Sequence, residues 1–533
     1  MEKPSRRRLR LGALALFLSF SLLLSACGGS APAPSGNGGS GAPTSGSGET
    51  LQVAIGIDAD TLDPAGQTTT TIQNMVDYVV ETLVTMDQNG DTQPLLAESW
   101  ETSPDGLTLT FHLKKGIQFH DGTPFNAEAV KFSMERLLNP EVKVPLRAPY
   151  TVIESVEAPS EDRVVFHLKQ PSPALVAALT STAAGIISPA SVDRHGNTFT
   201  NYQHPVGTGP YVFKEWAKND HITLIRNESY WGNKPYYGSV TFKVVPEAAT
   251  RESMLLAGQA DIIILPPISD LQALEKNPKV KVLKAPSNRT IFIVINNQDP
   301  VLSDKRVRQA LNYAVDKKSI IQNVLFGAAE ELDAPMSKAL FGYCSVGTYA
   351  YDPDKARTLL AEAGHPTLTL RFMSPTGRYV QDFQAAQAIA ADLAKVGVKT
   401  DLQTMDWPTY VATMTKPVAE NTTQLHLLGW APGFMDAQQQ MEIFDSKNWP
   451  PAGLNTSFYK NPEVDDLLKR ASQELDAQTR ADLYCQASKI IWDDAPWIFL
   501  WTQSFPIVYS SKIQGVSYLP NEKFDIHNAK PAQ

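Results

Sequence analysis

Hydrophobic and polar residues alternate one by one in two segments of this chain. In the first segment, large apolar side chains occupy every second position, namely Leu107, Leu109, Phe111 and Leu113. In the second segment, the same alternation is carried by Val164, Phe166 and Leu168. A period of two is typical of a strand that buries one face. We therefore predict that both segments are strands of an antiparallel layer.

Elsewhere the apolar residues are three or four positions apart, which is the spacing of one face of a helix. Asn126 precedes one such run and can cap its first turn. Asp352 and Pro353 precede another, where aspartate is a favoured cap and proline a favoured first residue. The predicted buried faces are Val130, Met134, Leu137 and Leu138 in the first helix and Ala356, Leu359, Leu360 and Ala363 in the second.

Strand and helix patterns follow one another along most of the chain, which favours the α/β class. Two further apolar runs, residues 51–55 and 291–295, are predicted strands. The 533 residues exceed what one hydrophobic core usually supports. We therefore predict two or three lobes, each with its own core.

The first 26 residues have the order of an export signal. Five basic residues come first, residues 11–24 are almost wholly apolar, and small residues precede Cys27. The apolar run is shorter than the ~20 residues of a membrane-spanning helix. Its end resembles a bacterial lipobox, which implies a lipid on the Cys27 thiol and cleavage before it; a plain secretory signal is the alternative. Arg6 and Arg7 leave Sec and twin-arginine export both open.

The segment after Cys27 has an unusual composition. Residues 28–49 are rich in glycine, serine and proline and contain no large apolar side chain. Such a segment cannot bury a core, so residues 27–50 are predicted to form a flexible tether.

The net charge of the chain excludes some classes of binding partner. The formal net charge is −9, and cleavage before Cys27 would remove Glu2 and five basic residues, which makes it −13. An acidic protein gains no electrostatic attraction to nucleic acid or to anionic lipid. We therefore expect no nucleic-acid partner and no membrane contact beyond the lipid anchor. The 43% of hydrophobic and 19% of charged residues are typical of a folded globular protein.

Besides Cys27, the chain contains Cys344 and Cys485. Export permits a disulfide between them. Because they are far apart in the sequence, the pattern leaves open whether they meet or remain two buried free thiols.

Several short motifs occur in order along the chain. They are residues 61–64 (Thr-Leu-Asp-Pro), 94–100 (Pro-Leu-Leu-Ala-Glu-Ser-Trp), 119–125 (Phe-His-Asp-Gly-Thr-Pro-Phe), 205–211 (Pro-Val-Gly-Thr-Gly-Pro-Tyr), 306–311 (Arg-Val-Arg-Gln-Ala-Leu) and 351–356 (Tyr-Asp-Pro-Asp-Lys-Ala). With these motifs the chain resembles solute-binding protein family 5, the dipeptide-, oligopeptide- and nickel-binding lipoproteins of bacterial ABC importers. The resemblance runs from about residue 51 to about residue 520. Many motif positions, including Gly207 and Gly209, are predicted to serve tight turns.

The resemblance implies a two-lobed periplasmic-binding-protein fold, also called a flytrap, in which a solute closes the cleft. Lobe one would comprise residues 51–285 and 499–533, with an inserted subdomain at about 84–204, and lobe two residues 288–498. The implied function is that of an importer's substrate-binding lipoprotein. It would be a monomer without cofactor or bound metal that delivers a peptide or peptide-like solute to permease subunits and their ATPases. It would sit at the outer face of the cytoplasmic membrane, in the periplasm or at the cell surface.

One segment late in lobe two carries candidate ligand contacts. In peptide-binding relatives a tryptophan lines the pocket, and the third residue after it is an aspartate that holds the ligand's ammonium group. Trp430 matches the tryptophan, but Gly433 stands at the aspartate position, and glycine cannot pair with a cation. Asp436 either takes over that role or is a structural acid before a turn.

Arg378 is the candidate anchor for a solute carboxylate, because a guanidinium offers paired donors that match a carboxylate. It follows a predicted strand, on the kind of loop that faces a cleft in open α/β sheets, and Tyr379 is beside it. A surface arginine that caps local carbonyls is the alternative.

Four further residues are candidates on position alone. Trp407 and Phe434 can line side-chain pockets or belong to the core. Thr69 and Thr70 lie where lobe one would meet the ligand, and they can offer hydroxyls or form a polar loop.

The sequence contains no catalytic motif. The patterns G-x-S-x-G, H-E-x-x-H and the P-loop are missing, and the nine histidines are scattered. We therefore predict a binding protein rather than an enzyme. The alternatives are a binder of a non-peptide solute, such as a metal chelate, an opine or an oligosaccharide, and a sensory lipoprotein with the same fold.

Overall fold

A computed structural model describes residues 49–284, 286–405 and 407–533. The predicted signal peptide, the lipidation of Cys27 and nearly all of the predicted tether lie outside these residues. The strands are β1 (Thr50–Ile55), β2 (Val84–Met86), β3 (Thr92–Pro94), β4 (Ala97–Thr102), β5 (Thr108–Leu113), β6 (Ile153–Ser160), β7 (Arg163–Leu168), β8 (Tyr211–Ala217), β9 (His221–Arg226), β10 (Ser239–Val244), β11 (Ile262–Ile264), β12 (Val280–Leu283), β13 (Pro286–Ile295), β14 (Ala329–Glu331), β15 (Leu368–Met373), β16 (Val398–Gln403), β17 (Leu425–Trp430), β18 (Trp497–Ser504), β19 (Ile507–Ser510), β20 (Ile513–Gln514), β21 (Ser517–Leu519), β22 (Lys523–Asp525) and β23 (Lys530–Pro531).

Helices alternate with these strands, as an α/β protein requires. They are α1 (Thr70–Asp77), α2 (Ala127–Leu138), α3 (Leu175–Ala178), α4 (Ala248–Leu256), α5 (Leu271–Glu275), α6 (Lys305–Tyr313), α7 (Lys317–Asn323), α8 (Pro353–Glu362), α9 (Asp382–Lys395), α10 (Trp407–Met414), α11 (Ala437–Met441), α12 (Pro462–Ala471) and α13 (Ala477–Asp494).

The first sheet has the strand order β12-β19-β11-β1-β10-β9-β8. Its central strand β1 is parallel to β10 and β11, whereas β19, from the C-terminal return of the chain, is antiparallel to β11 and β12. Leu51, Val53 and Ile55 point into one large core beneath this sheet, which confirms the predicted strand.

The second sheet has the order β14-β18-β13-β17-β15-β16. Its central strand β13 is antiparallel to β17 and β18. Because side chains alternate across a strand, Ile291, Ile293 and Ile295 enter a core on one face, while Phe292 and Val294 enter a separate core on the other. Burial on both faces explains why the sequence of β13 is an unbroken apolar run.

The third sheet is an antiparallel layer with the order β4-β5-β7-β6. It contains both strands predicted from alternation, and the apolar residues of β5 and β7 are buried. Leu107 is the exception, because it precedes β5 and is 39% exposed. The residues of this layer share a core of their own with α2.

Both predicted helix caps are present. Asn126 accepts a hydrogen bond from the N–H of Ala129 at the start of α2. Asp352 accepts one from Lys355 at the start of α8, with Pro353 as the first helical residue.

Gly207 and Gly209 serve close approach rather than tight turns. A Cβ atom on Gly207 would lie 2.2 Å from the carbonyl oxygen of Val79, and one on Gly209 would lie 2.4 Å from that of Tyr78. Only a residue without a side chain therefore fits where this motif passes the end of α1.

Cys344 and Cys485 form a disulfide. Their Cα atoms are 5.5 Å apart, a separation that a disulfide normally spans. The bond ties the segment before α8 to the middle of α13, so the alternative of two free thiols is excluded.

The chain passes twice between the first and second sheets. β12 ends at Leu283 and β13 begins at Pro286, close to the predicted lobe boundary; on the return, β18 ends at Ser504 and β19 begins at Ile507. The second sheet thus retains residues 499–504, which the sequence had assigned to lobe one. We propose that the second lobe boundary lies between Ser504 and Ile507. Among the described residues, no helix has both the length and the apolar character needed to span a bilayer.

Candidate functional site

A cavity of about 330 Å³ lies against the face of the second sheet that carries Phe292 and Val294. Leu428 and Trp430 of β17 and Trp497 of β18 line the same cavity, because the register of these strands places them on that face. The rings of Phe292 and Trp497 stack with their centres 3.5 Å apart. This wall is apolar and comes from the predicted lobe two.

The opposite wall comes from the first part of the chain and from its C-terminal return. Thr68, Thr70 and Gln73 lie at the start of α1, while Asn521 and Lys523 lie at the start of β22. The cavity is therefore enclosed between the two predicted lobes, which is where a cleft-binding protein holds its solute.

Two cationic side chains of the cavity are held by carboxylates. Arg289 donates Nε and Nη2 to the two carboxylate oxygens of Glu522, at 2.8 and 2.6 Å. Lys523 donates to Asp77 and to the hydroxyl of Thr182. Burial lowers the pKa of Arg289, but the adjacent Glu522 carboxylate outweighs this effect and raises it. Arg289 therefore remains a buried, charge-balanced cation.

Arg378 lies at the cavity on the loop between β15 and α9. The Asp382 carboxylate fixes this loop, because it accepts the backbone N–H groups of Gly377, Arg378 and Tyr379 at 2.8–3.0 Å. The guanidinium carbon lies 5.2 Å from the ring centre of Tyr379 and 5.1 Å from that of Trp407, within the range of cation–π attraction. No carboxylate of the described chain pairs with this exposed guanidinium, so it is open to an anionic group.

Tyr379 and Trp430 meet at Gly429. The Tyr379 hydroxyl donates to the Gly429 carbonyl at 3.1 Å, and burial raises its pKa, so it stays neutral. The indole N–H of Trp430 is buried and has no hydrogen-bond partner in the part of the chain that the structure describes. An unpaired buried donor costs about 1–3 kcal/mol, and an acceptor on a solute would remove that cost.

Gly433 also lines the cavity. Its N–H donates to the side-chain oxygen of Gln439 at 2.6 Å. A Cβ atom on Gly433 would lie 3.6 Å from that oxygen, the only described atom within 4 Å. Local packing therefore leaves space for a side chain at this position.

Phe434 and Asp436 do not line this cavity, although the sequence had proposed both as ligand contacts. Phe434 is 2% exposed and packs into the core beneath the third sheet. Asp436 caps α11 through the N–H of Gln438 at 2.9 Å and pairs with Arg480 at 2.5 Å. Asp436 is 3% exposed, and the helix cap and the ion pair support the structural role that was its alternative.

The structure brings together six of the predicted contacts at the cavity. They are Arg378, Tyr379, Trp407, Trp430, Gly433 and Thr70. Thr69 is not part of the lining; its carbonyl accepts the N–H groups of Ile72 and Gln73 at 2.9 Å where α1 begins.

The polar residues of the cavity that sequence reasoning missed include Gln73, Arg289, Gln439, Thr456, Asn521 and Lys523. Arg289 and Glu522 are 233 positions apart, and no local pattern indicates that they meet. The sequence signal for Arg289 was an arginine two residues before the apolar run 291–295, and the structure places it within β13.

A larger groove of about 820 Å³ lies between the third sheet's loops and residues 339–341 and 475–480. Its buried charges, Asp436 and Arg480, already pair with each other. None of its described side chains carries a buried polar atom without a partner. Within the described ranges, no group of three or more His, Cys, Asp or Glu side chains is arranged to hold a metal ion. The smaller cavity is thus the better candidate site.

The chain is similar to known proteins over most of its length. Residues 91–451 match the family described as bacterial extracellular solute-binding proteins, family 5 Middle. The glutathione-binding protein GsiB of Pectobacterium atrosepticum is 34% identical over 485 residues, which cover 90% of this chain and 93% of that protein.

Solved structures are similar over nearly the whole chain. HbpA2 from Haemophilus parasuis has a TM-score of 0.81 and 28% identity, covering 91% of this chain and all of its own. The ABC transporter-associated periplasmic binding protein DppA from Helicobacter pylori, in complex with the peptide STSA, has a TM-score of 0.76 and 27% identity, covering 91% of this chain and 98% of its own. These similarities confirm the predicted two-lobed α/β fold.

Proposed function

Because the chain belongs to the bacterial extracellular solute-binding proteins of family 5, we propose that it captures a short anionic peptide or peptide-like molecule between its lobes. It is a substrate-binding protein of an ABC importer, and it hands the solute to permease subunits driven by ATPases. We propose further that it releases the solute chemically unchanged and acts as a monomer.

The size and lining of the cavity carry this proposal. A volume of about 330 Å³ lies at the lower end of the ~300–1,000 Å³ range of ligand sites, which favours a solute of two or three residues over a long peptide. Backbone-like groups of such a solute would meet the unpaired Trp430 N–H and the unpaired Asn521 side-chain oxygen.

Arg378 supplies the anionic preference. Its guanidinium lacks a carboxylate partner in the described chain and lies on a loop fixed by Asp382. Paired N–H donors match a carboxylate. Glutathione, for which one relative is named, is a tripeptide with two carboxylates, and it is the first solute to test.

Identification of the bound solute tests the proposal. Protein that lacks residues 1–26 is purified from cells without denaturation, and the solute is released with acid and identified by mass spectrometry. Calorimetry then measures the binding of glutathione, the peptide Ser-Thr-Ser-Ala and a nickel–histidine chelate to ligand-free protein. We expect saturable one-to-one binding of a short peptide, recovered unchanged. Recovery of a metal chelate, an opine or an oligosaccharide would contradict the peptide assignment, and recovery of a reaction product would indicate an enzyme.

The chain is an extracellular or periplasmic solute-binding protein, and we propose that a lipid on Cys27 holds it at the membrane. The apolar run that ends at Cys27 supports this anchor. In cells, Cys27→Ser should release the protein into the medium or the periplasm. If this variant still requires detergent for extraction, the lipid anchor is wrong.

A further inference from the structure

The described side chains that line the cavity carry positive charges and no negative ones. Among its described lining residues are three cations, Arg289, Arg378 and Lys523, and no aspartate or glutamate. A typical short peptide carries one ammonium group and one carboxylate, so a site for it would need both signs of charge. This lining offers only one.

The surrounding residues balance part of that charge. Glu522 neutralises Arg289, and Asp77 neutralises Lys523. Within the described chain, Arg378 has no such partner. Among the described residues, Arg378 is therefore the one lining cation whose charge is not compensated by an ion pair, and a negative group on a solute can pair with it.

The polar groups among the described lining residues of the cavity include no carboxylate. The unpaired donor is the Trp430 indole N–H, and the unpaired acceptor is the neutral amide oxygen of Asn521. The side-chain oxygen of Gln439 accepts the Gly433 N–H. A buried ammonium group is unfavourable unless a carboxylate pairs with it, and the described lining provides none.

From this distribution we infer that the site selects solutes with one net negative charge and does not bind a free ammonium group specifically. The favoured solutes are peptides with an acylated amino terminus and peptides with a second carboxylate. The inference rests on the proposed function, because it names the charge class of the solute for the same cavity.

Gly433 is the position at which this selectivity can be changed. A side chain there would enter the cavity beside Gln439, and apart from residues 432–434 no described backbone atom lies within 4 Å of its Cβ. The φ angle of Gly433 is outside the left-handed region, so an aspartate fits its backbone. The added carboxylate would place a negative charge in the lining that carries Arg378, and it could pair with a solute ammonium group.

A competition experiment tests the inference. An equimolar mixture of a tripeptide library with free amino termini and an isotopically labelled, N-acetylated copy of the same library is offered to the ligand-free protein. The retained peptides are counted by mass spectrometry. We expect the acetylated peptides, and the free peptides that contain glutamate or aspartate, to be enriched at least about tenfold over neutral free peptides, a difference of about 1.4 kcal/mol.

Two outcomes of the competition experiment would contradict the inferred charge selectivity, and they have different consequences for the proposed function. If peptides are retained but the neutral free peptides bind as well as the acetylated ones, the charge selectivity is wrong and the proposed function stands. If no peptide of either form is retained, the proposed peptide function fails, and the selectivity fails with it.

Matched variants sharpen the result. Gly433→Asp should abolish the preference for acetylated peptides, whereas the isosteric, uncharged Gly433→Asn should keep it. Circular dichroism checks that both variants fold. Arg378→Gln tests the inference independently, because it should remove the preference for acetylated peptides without a change at Gly433. If both Gly433→Asp and Arg378→Gln keep the wild-type enrichment, the uncompensated charge is not the cause.

Discussion

The position of Arg378 depends on a carboxylate four residues further along the chain. Asp382 accepts three backbone N–H bonds from the Arg378 loop and a fourth from its own neighbour Phe383. The Asp382 carboxylate therefore binds backbone N–H groups and does not pair with the Arg378 guanidinium. The guanidinium is accessible to the solute and lies against the rings of Tyr379 and Trp407.

We predict that Arg378→Ala weakens solute binding strongly. Loss of one partner of an enclosed charge pair costs about 2–5 kcal/mol, and Arg378→Lys should recover only part because an ammonium group lacks the paired donors. Calorimetry on folded variants measures the effect. Affinity of Arg378→Ala within about threefold of wild type, under 1 kcal/mol, would show that Arg378 is an ordinary surface arginine.

His426 is a second residue whose burial has a measurable effect. It is 1% exposed on β17, and its Nε2 lies 3.0 Å from the hydroxyl of Thr456, a residue of the cavity lining. Burial lowers the pKa of His426 to about 3, so the ring is neutral in the folded protein throughout the physiological range.

We predict that His426 makes the folded protein acid-sensitive. In the unfolded chain the ring binds a proton below its usual pKa of about 6.5, whereas in the folded protein it does so only near 3. The free energy of unfolding should therefore fall as the pH drops below 6.5. The expected loss from His426 alone is about 1.5 kcal/mol between pH 6.5 and pH 5.

Urea unfolding at several pH values checks this prediction. His426→Gln should lose less stability than wild type over the same interval, whatever its stability at pH 7.5. Parallel pH profiles for the two proteins would mean that His426 does not contribute.

At the scale of elements, the disulfide joins an irregular segment to a long helix. Cys344 lies in the connection between β14 and α8, which has little regular structure, and Cys485 lies within α13. The same connection pairs with the chain next to Asp436 through an isolated bridge at Phe341. The bond therefore holds a loop that the hydrogen-bonded elements alone fix weakly.

We predict that loss of this disulfide lowers the free energy of unfolding by about 2–5 kcal/mol. The closed loop is long, with the cysteines 141 positions apart, and cross-links over long loops restrict the unfolded chain most. Denaturant unfolding of protein lacking residues 1–27 is compared with and without dithiothreitol. The Cys344→Ser/Cys485→Ser variant is the control, because it should match reduced wild type and not respond to the reductant.

Local patterns explain how much of the fold was predictable. The strands β5 and β7, the strand β13 and the caps Asn126 and Asp352 are each set by neighbouring residues, so periodicity and capping identify them. Leu107 was misassigned because its exposure depends on where the pairing of β5 with distant strands begins. The lobe boundary that we propose near Ser504 likewise depends on pairing between distant strands.

The site was only partly predictable for a related reason. Arg378 and Trp430 were candidates because of a strand-end loop and a resembling segment, and Trp407 was a candidate as an aromatic residue; all three line the cavity. Phe434 and Asp436 share that segment, but the turn into α11 directs them to a different core and to Arg480. Their surroundings are made by residues far away in sequence, which a local pattern does not contain.

At the scale of the whole molecule, the cavity requires both walls. Its apolar side belongs to the second sheet, and its polar side to α1 and the C-terminal return. A ligand shifts a conformational equilibrium only when it binds one state better than the other, and a solute that touches both walls binds the closed state better.

We predict that saturating solute reduces the radius of gyration. Small-angle scattering on protein without residues 1–26 measures it with and without the solute identified by mass spectrometry. Arg378→Ala at the same solute concentration is the control and should keep the larger value. An unchanged radius in solute-saturated wild type would contradict lobe closure.

The contact of Phe434 with the core of the third sheet affects the equilibrium between the open and the closed protein. The ring belongs to the chain segment that continues from Trp430 and Gly433, yet it is buried in the core of residues 83–186. If the lobes separate as rigid bodies, this ring must leave that core, and exposing a phenylalanine costs about 1.5–3 kcal/mol. In the empty protein this contact would then favour the closed state by a factor of about 10 to 100, without any contribution from a solute. A larger share of the solute-free protein would then be closed. Such closed, empty molecules would bind the permease without delivering solute, which would reduce the efficiency of transport when solute is scarce.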